Sequence, residues 1–273
     1  MKVWLLVLMS LLLAGCEQKK DTGWLGYGEG DSAYVAAPQP GWIETLNVER
    51  GQTVKTGDLL FVLDTTAQEA NRSQAEATLA QTKASLTQEQ SNLAYTRTEL
   101  TRQNGLARAN AGTPAQRDQA LTNYQQSGAR VAQLKAEIAQ MQASLEGASY
   151  SLSQRRIVAQ TEGPVQDIYF RPGEYVPGST PVVSILPPAN VYVRFFVPQS
   201  QLAGVKLGDQ VEVDCDGCKP MRAKITFIAA QVEFTPPVIF SVENREKLVF
   251  KLEARAPGGV AIHPGQPVTV KKL

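Results

Sequence analysis

Histidine is nearly absent from this 273-residue chain, with His263 alone, and cysteine occurs three times. No G-x-S-x-G, H-E-x-x-H or Walker G-x-x-x-x-G-K-[ST] pattern occurs, so the usual marks of a serine nucleophile, a catalytic zinc or a bound nucleotide are missing. Neither an enzyme nor a cofactor is expected. Cys215 and Cys218 have no second C-x-x-C beside them, which leaves a zinc knuckle without its four ligands, and His263 in AIHPGQP reads as a turn residue. Charge of one sign is also lacking: 27 basic against 26 acidic residues leave a net +1, which argues against a nucleic-acid partner.

Long apolar runs are equally scarce. The one present, VWLLVLMSLLLAG after Met1 and Lys2, is too short to cross a bilayer as a helix and reads as a signal peptide over residues 1–15. Its end, Leu13-Ala14-Gly15-Cys16, resembles the bacterial lipobox, which implies acylation of Cys16 as the first mature residue. Acyl chains would hold the mature protein on a membrane, the inner one favoured, with the rest of the chain in the periplasm. Residues 16–23 then serve as anchor and tether. In that oxidising compartment Cys215 and Cys218, in the run DCDGC, read as a small structural disulfide or as two unreactive thiols.

What the chain does have is a long helical pattern over residues 65–158. Leu79, Leu86, Leu93 and Leu100 recur every seven residues, and Tyr124, Val131, Ile138, Leu145 and Leu152 repeat at the same period. Between them NGLARANAGTP breaks both seams, with a tip near residues 103–114 where Gly105, Gly112 and Pro114 are expected to make the reversal. Ala, Gln, Glu, Leu and Lys dominate and β-branched residues are few, as helix propensity favours. Arms of roughly 40 residues predict an antiparallel coiled-coil hairpin about 60 Å long. Its outer faces, rich in Gln, Thr, Ser and Ala, suit either sideways packing of several hairpins or plain solvation.

An internal repeat flanks the hairpin. Within residues 36–63 and 159–186 a constant offset of 122 pairs Gly41 with Gly163, Ile43 with Val165, Leu46 with Ile168, Val48 with Phe170, Gly51 with Gly173 and Val54 with Val176. Each copy reads as short strands broken by turn glycines, and neither alone could bury a core. The turn Gly51-x-x-Val54-x-x-Gly57-Asp58 resembles that of the biotinyl/lipoyl domain, so Gly41, Gly51, Gly57, Gly163 and Gly173 are taken as its turn glycines. The two halves, residues 36–64 and 159–187, would then form one flattened β-sandwich. Carriers with this fold present a lysine at the junction of the halves, but the flanking VLDTTAQ and RRIVAQT contain none.

The remaining sequence is β-like. VYVRFFVP, QVEVDC, RAKITFIAA, KLVFKLEAR and PVTVKKL alternate apolar and polar residues between turns, which suits a small barrel over residues 188–273, and residues 24–35 supply a further strand to it.

A lipoyl-like fold split by a long α-hairpin and followed by a β-barrel resembles the bacterial periplasmic adaptor or membrane fusion family, the hemolysin-D-like secretion proteins. The resemblance implies an elongated α+β protein, a coiled-coil hairpin inserted into a split lipoyl/biotinyl-like sandwich. It also implies docking of the hairpin tip on an outer-membrane channel of the TolC type. The family's Arg, Leu and Ser tip pattern appears as Arg102, Leu106 and Thr113, although these residues also read as a solvated charge, a last apolar contact and an N-cap. The run VEFTPPVIFS is similar to that of adaptors serving ATP-driven exporters, implying an ABC-type inner-membrane transporter as partner. Hexameric self-association is implied too, and the extra membrane-proximal domain of larger members is expected to be absent or minimal. A lipoprotein spacer of the envelope and a lipoyl- or biotinyl-type carrier accessory are the other readings open at this point.

Overall fold

The computed structural model describes residues 23–234 and 248–273. The signal peptide, Cys16 and all but the first three residues of VEFTPPVIFS lie outside them. One compact unit is Ala33–Ile185, and the other combines the chain before Ala33 with Leu186–Leu273.

Along the chain, β1 (Trp24–Gly30) precedes four strands of the first unit, β2 (Ala33–Ala36), β3 (Gly41–Leu46), β4 (Thr53–Val54) and β5 (Leu59–Leu63). Two helices follow, α1 (Thr66–Arg108) and α2 (Pro114–Ser153). Then come β6 (Arg156–Val158), β7 (Gly163–Ile168), β8 (Tyr175–Val176) and β9 (Pro181–Ile185). The eight strands of this unit make two four-stranded sheets, β2-β9-β7-β4 and β6-β5-β3-β8. Exchanging β2 with β6, β3 with β7, β4 with β8 and β5 with β9 turns one sheet into the other. The α+β class, with a helical hairpin inserted between the halves of a repeated β unit, is the one expected.

The repeat is also a pairing rule, because each half is completed by the other. Gly51 N–H donates to Val165 O at 2.9 Å and Gly173 N–H donates to Ile43 O at 2.8 Å. Val165 N–H returns a bond to Gln52 O, and Ile43 N–H returns one to Glu174 O. Both turns are closed alike: the Gln52 side chain accepts from Glu49 N–H, and the Glu174 side chain accepts from Arg171 N–H. The core is equally symmetric. Leu60, Phe61 and Leu63 from β5 and Val182, Val183 and Ile185 from β9 are all fully buried, each worth about 1.5–3 kcal/mol on burial.

Three expectations change. Residues 33–35, assigned from sequence to the barrel, lie in β2, which pairs with β9 through Tyr34 opposite Ser184 and Val35 opposite Val183. The repeat therefore begins before residue 36, since β2 and β6 are counterparts. Gly41 and Gly163 are not turn residues but the first residues of β3 and β7. At Gly41 a Cβ would displace the Arg155 guanidinium, which donates to Pro40 O. Gly51, Gly57 and Gly173 do sit in the left-handed region, at φ 85°, 93° and 86°, and the fourth equivalent position is Ser179 at φ 62°.

The second unit is a closed barrel in the order β1-β10-β13-β12-β11-β14. Its later strands are β10 (Val191–Pro198), β11 (Gln210–Asp214), β12 (Met221–Phe234), β13 (Leu248–Arg255) and β14 (Pro267–Lys272). A short α3 (Gln199–Leu202) follows β10. The period-2 alternation directs Val193, Phe195, Val197, Val211, Val213, Leu252, Ala254, Val268 and Val270 into one core. On the outer face Arg194 pairs with Glu29 at 2.7 Å and Glu253 at 3.0 Å, and the Arg255 guanidinium lies 4.1 Å over the Tyr192 ring. Burial, with Glu253 next in weight, pushes the Tyr192 phenol up to about 12.

A Cβ at Gly51 or Gly173 would meet nothing within 4 Å, so alanine at either position is a test of backbone conformation alone. Each substitution is expected to destabilise the unit by about 1–2 kcal/mol, the cost of a left-handed non-glycine residue. Ser179→Gly is expected to act oppositely, by up to about 1 kcal/mol. Denaturant titrations of the three variants check both signs.

Candidate functional site at the hairpin tip

The hairpin starts from a fixed base. Leu63 N–H donates to Arg155 O and Asp64 N–H donates to Trp42 O, both at 2.9 Å, while Arg155 Nη1 donates to Pro40 O at 2.9 Å. The Asp64 carboxylate accepts from the Thr66 hydroxyl at 2.7 Å and the Thr66 N–H at 3.0 Å. These bonds, the hydroxyl's first, hold its carboxyl below the usual range. Both helix ends are thus tied to β3 and β5 before the coiled coil begins.

From that base α1 has 43 residues and α2 has 40, so the arms run about 60–65 Å. Their seam is the one the heptads mark, yet its apolar content is thin. The buried positions are Leu79, Thr82 and Thr96 on α1 and Ala120, Ser127, Val131 and Leu134 on α2. Leu86, Leu93, Leu100, Tyr124, Ile138, Leu145 and Leu152 are half-buried. Asn92 Nδ2 donates across the seam to Ser127 Oγ at 3.0 Å, a polar contact of the kind that fixes register between paired helices.

At the far end the reversal differs from the one expected. Gly105 lies inside α1, and Gly112 does not adopt positive φ; the left-handed residue is Asn110, at φ 52°. Ala111 N–H donates to Leu106 O at 2.9 Å and Asn110 N–H donates to Ala107 O at 3.2 Å, the paired bonds of a Schellman C-cap. Asparagine tolerates that conformation better than other non-glycine residues, which is why the chain turns there. Gly112 supplies closeness: a Cβ on it would lie 3.2 Å from Leu106 Cβ.

The three tip residues are placed as follows. Arg102, largely exposed, donates to Glu99 one turn earlier, with Nε–Oε2 at 3.0 Å. Gln103 also donates to Glu99, and these bonds, Gln103's first, keep the Glu99 carboxyl below its usual range. Leu106 is 37% exposed and packs against the Gly112 turn. Thr113 is the N-cap of α2 in a full capping box: its Oγ1 accepts from Gln116 N–H at 3.3 Å and the Gln116 side chain accepts from Thr113 N–H at 3.1 Å. An open depression of about 440 Å³ beside them is lined by Arg97, Thr98, Thr101, Arg102 and Gly105. Hence the tip offers a guanidinium held by Glu99, a leucine and a capped hydroxyl on a hydrogen-bonded turn. Glu99, Gln103, Asn110 and Gln116 were missed from sequence, although Thr113-x-x-Gln116 is itself a capping-box pattern.

Elsewhere, Cys215 and Cys218 face one another in the β11–β12 turn with Cα atoms 5.4 Å apart, within disulfide reach, and Cys215 belongs to the barrel core. His263 lies in the turn before β14, where its N–H donates to the Gln266 side chain. Among the described residues no cluster of three or more metal-ligating side chains occurs, and no helix is long and apolar enough to cross a membrane.

The same architecture occurs in solved proteins. The structure of MacA from Actinobacillus actinomycetemcomitans superposes over 92% of this chain and 77% of its own, with a TM-score of 0.72 at 18% identity. The fold is that of a membrane fusion protein. The periplasmic adaptor protein EmrA shares this adaptor fold at a TM-score of 0.52 and 14% identity, over 92% of this chain and 98% of its own. A chimera of MacA carrying the α-hairpin domain of Pseudomonas aeruginosa MexA shares it at 0.52 and 20%, over 91% and 80%. Among curated sequences, the UPF0194 membrane protein Ent638_1286 of Enterobacter sp. (strain 638) is 27% identical over 98% of this chain and 96% of its own length. The UPF0194 membrane protein YbhG of Salmonella arizonae is 26% identical over 93% and 90%. No family model matches the chain.

Removing the α2 cap by Thr113→Ala is expected to cost about 1 kcal/mol locally, seen as roughly fivefold faster amide exchange over residues 114–118 with the hairpin base unchanged. Alkylation of the unfolded, unreduced protein is expected to label neither Cys215 nor Cys218, and to label both after reduction. Cys218→Ser is expected to lower barrel stability by about 2 kcal/mol in denaturant titrations.

Proposed function

We propose that this chain is the periplasmic adaptor of a tripartite export system, joining an inner-membrane transporter to an outer-membrane channel. The observation that carries the reading is the capped tip, set about 60 Å from a base tied into both halves of the lipoyl-like unit. An arm of that length suits reach better than chemistry. Arg102 and Leu106, four residues apart on one face of α1, supply the charged and apolar contacts for a TolC-type channel, and the Thr113 hydroxyl keeps a proton free to donate after capping α2. The transporter is of the ABC type, and it supplies the energy.

Half-buried leucines along the seam favour self-association, with further hairpins covering what one hairpin leaves partly open. A hexameric ring would make the sealed conduit that export needs. Cys16, acylated, holds the assembly on the inner membrane. The carrier reading is weaker, because the junction of the two halves leads into the start of α1, tied down by Asp64, and out of the end of α2, tied down by Arg155, and offers no lysine. A passive spacer would share the hairpin but have no transporter partner.

The test is to tag the C-terminus, crosslink intact envelopes, purify, and identify partners by mass spectrometry for the wild type and for Arg102→Asp and Leu106→Asp. Co-purification of a transporter and a channel, with each variant losing only the channel, is the expected result. Recovery of neither membrane protein would leave the spacer as the better reading.

A further inference from the structure

One end of the barrel carries features that the bridge alone does not use. The start of β1, the end of β10 with α3, the turn 203–209, the start of β11 and the end of β14 all lie at this end. The Trp24 indole donates to the Gln201 side chain at 2.6 Å, Leu273 N–H donates to Gln210 O at 3.2 Å, and Lys272 pairs with Asp209 at 3.0 Å. β1 ends and β10 starts at the opposite end of the barrel, where Gly30 pairs with Val191.

The exposed groups here form a distinct set. Leu25 and Leu207 are each 67% exposed, and neither belongs to the barrel core. Lys206 precedes Leu207, and Lys271 lies at the end of β14, across the β1–β14 ladder from the chain's entry at Gly23. Lys206 and Lys271 are exposed and make no ion pair among the described residues, whereas Lys272 is held by Asp209. Asp209 is thereby kept ionised, its carboxyl lowered first by Lys272 and then by the Lys206 N–H. Among the described residues, Lys206 and Lys271 thus stand exposed beside solvent-facing leucines, with Glu212 opposite Lys271 in the β11–β14 ladder.

Position supplies the occupant. Six residues lie between Cys16 and Gly23, so over seven residue steps a chain anchored at Cys16 reaches at most about 25 Å before it enters the barrel at this very end. We propose that the barrel end built from Leu25, Lys206, Leu207 and Lys271 is a bilayer contact, its lysines on anionic phospholipid headgroups and its leucines at the acyl boundary. Exposed leucines flanked by lysines are the side-chain chemistry that an anionic interface binds. The contact fixes the barrel's orientation on the membrane, which a flexible tether alone would leave free. It rests on the anchored-adaptor reading for its geometry, and its chemistry can be tested apart from that reading.

The experiment uses the acylated chain on vesicles of phosphatidylcholine with phosphatidylglycerol, beside a Cys16→Ala chain made behind a signal cleaved after residue 15. Amide exchange over residues 203–209 is expected to be several-fold slower on the vesicles than for the Cys16→Ala chain in solution, with the β11–β12 turn at the opposite end unchanged. The triple variant Lys206→Glu, Leu207→Glu, Lys271→Glu is expected to restore the solution rate while keeping its acyl anchor and its circular dichroism spectrum. Exchange equal on vesicles and in solution, or slowing that survives the triple variant, overturns the proposal. Intact mass reads the anchor separately. If Cys16 carries no acyl group, flotation of the unmodified chain decides: binding to the phosphatidylglycerol vesicles that falls about tenfold in the triple variant supports the site, and no binding overturns it.

Discussion

The structure depends on a reciprocal backbone exchange between two halves that are distant in sequence. Gly51 in the first half gives its N–H to Val165 in the second, and Gly173 in the second gives its N–H to Ile43 in the first. Because β4 pairs with β7 and β8 with β3, each sheet holds strands from both halves, and neither half has a sheet of its own to fall back on. The helices therefore grow from a base that exists only when residues on both sides of the hairpin have met. Closing so long an excursion costs little more than closing a short one, since loop entropy grows only logarithmically with length. The paired helices reduce it further by ordering their own chain.

The hairpin itself is held by less apolar area than its length suggests. Threonine, serine and alanine occupy much of the buried seam, and Thr82 and Thr96 satisfy their hydroxyls on the preceding turn of their own helix. Such a seam favours correct alignment over strong adhesion. Asn92 and Ser127 are opposite each other only in one register, and a slide of one helix along the other would leave both amide and hydroxyl without that partner. The caps at the two ends add to the same specification: Asp64 starts α1, Asn110 ends it, and Thr113 starts α2.

Much of this was legible in the sequence, and what was missed has common causes. Heptads gave the two arms because their leucines recur at a period no strand could use. The offset of 122 gave the repeat because turn glycines and alternating apolar residues survive in both copies. Its true start in β2 was hidden, since Ala33–Ala36 and Arg156–Val158 match in pairing more than in residue type. At the tip, glycines drew attention away from Asn110, whose side chain carries no spacing signal although it can take the left-handed turn. Gly41 and Ser179 show the converse: a glycine can leave room for a neighbouring guanidinium, and a left-handed turn can be made without one. The charged belt around Tyr192 and Arg194 joins residues from β1, β10 and β13, and nothing local in any of the three strands announces it.

The base has one more consequence. With Leu63 hydrogen-bonded to Arg155, the two points where the hairpin leaves the β unit are neighbours, so the unit does not register how far the helices travel before returning. Adding or deleting seven residues in each arm would preserve the seam's phase while moving the tip by about 10 Å. The hairpin is in that sense a ruler graduated in heptads. Selection could lengthen or shorten it without redesigning either end.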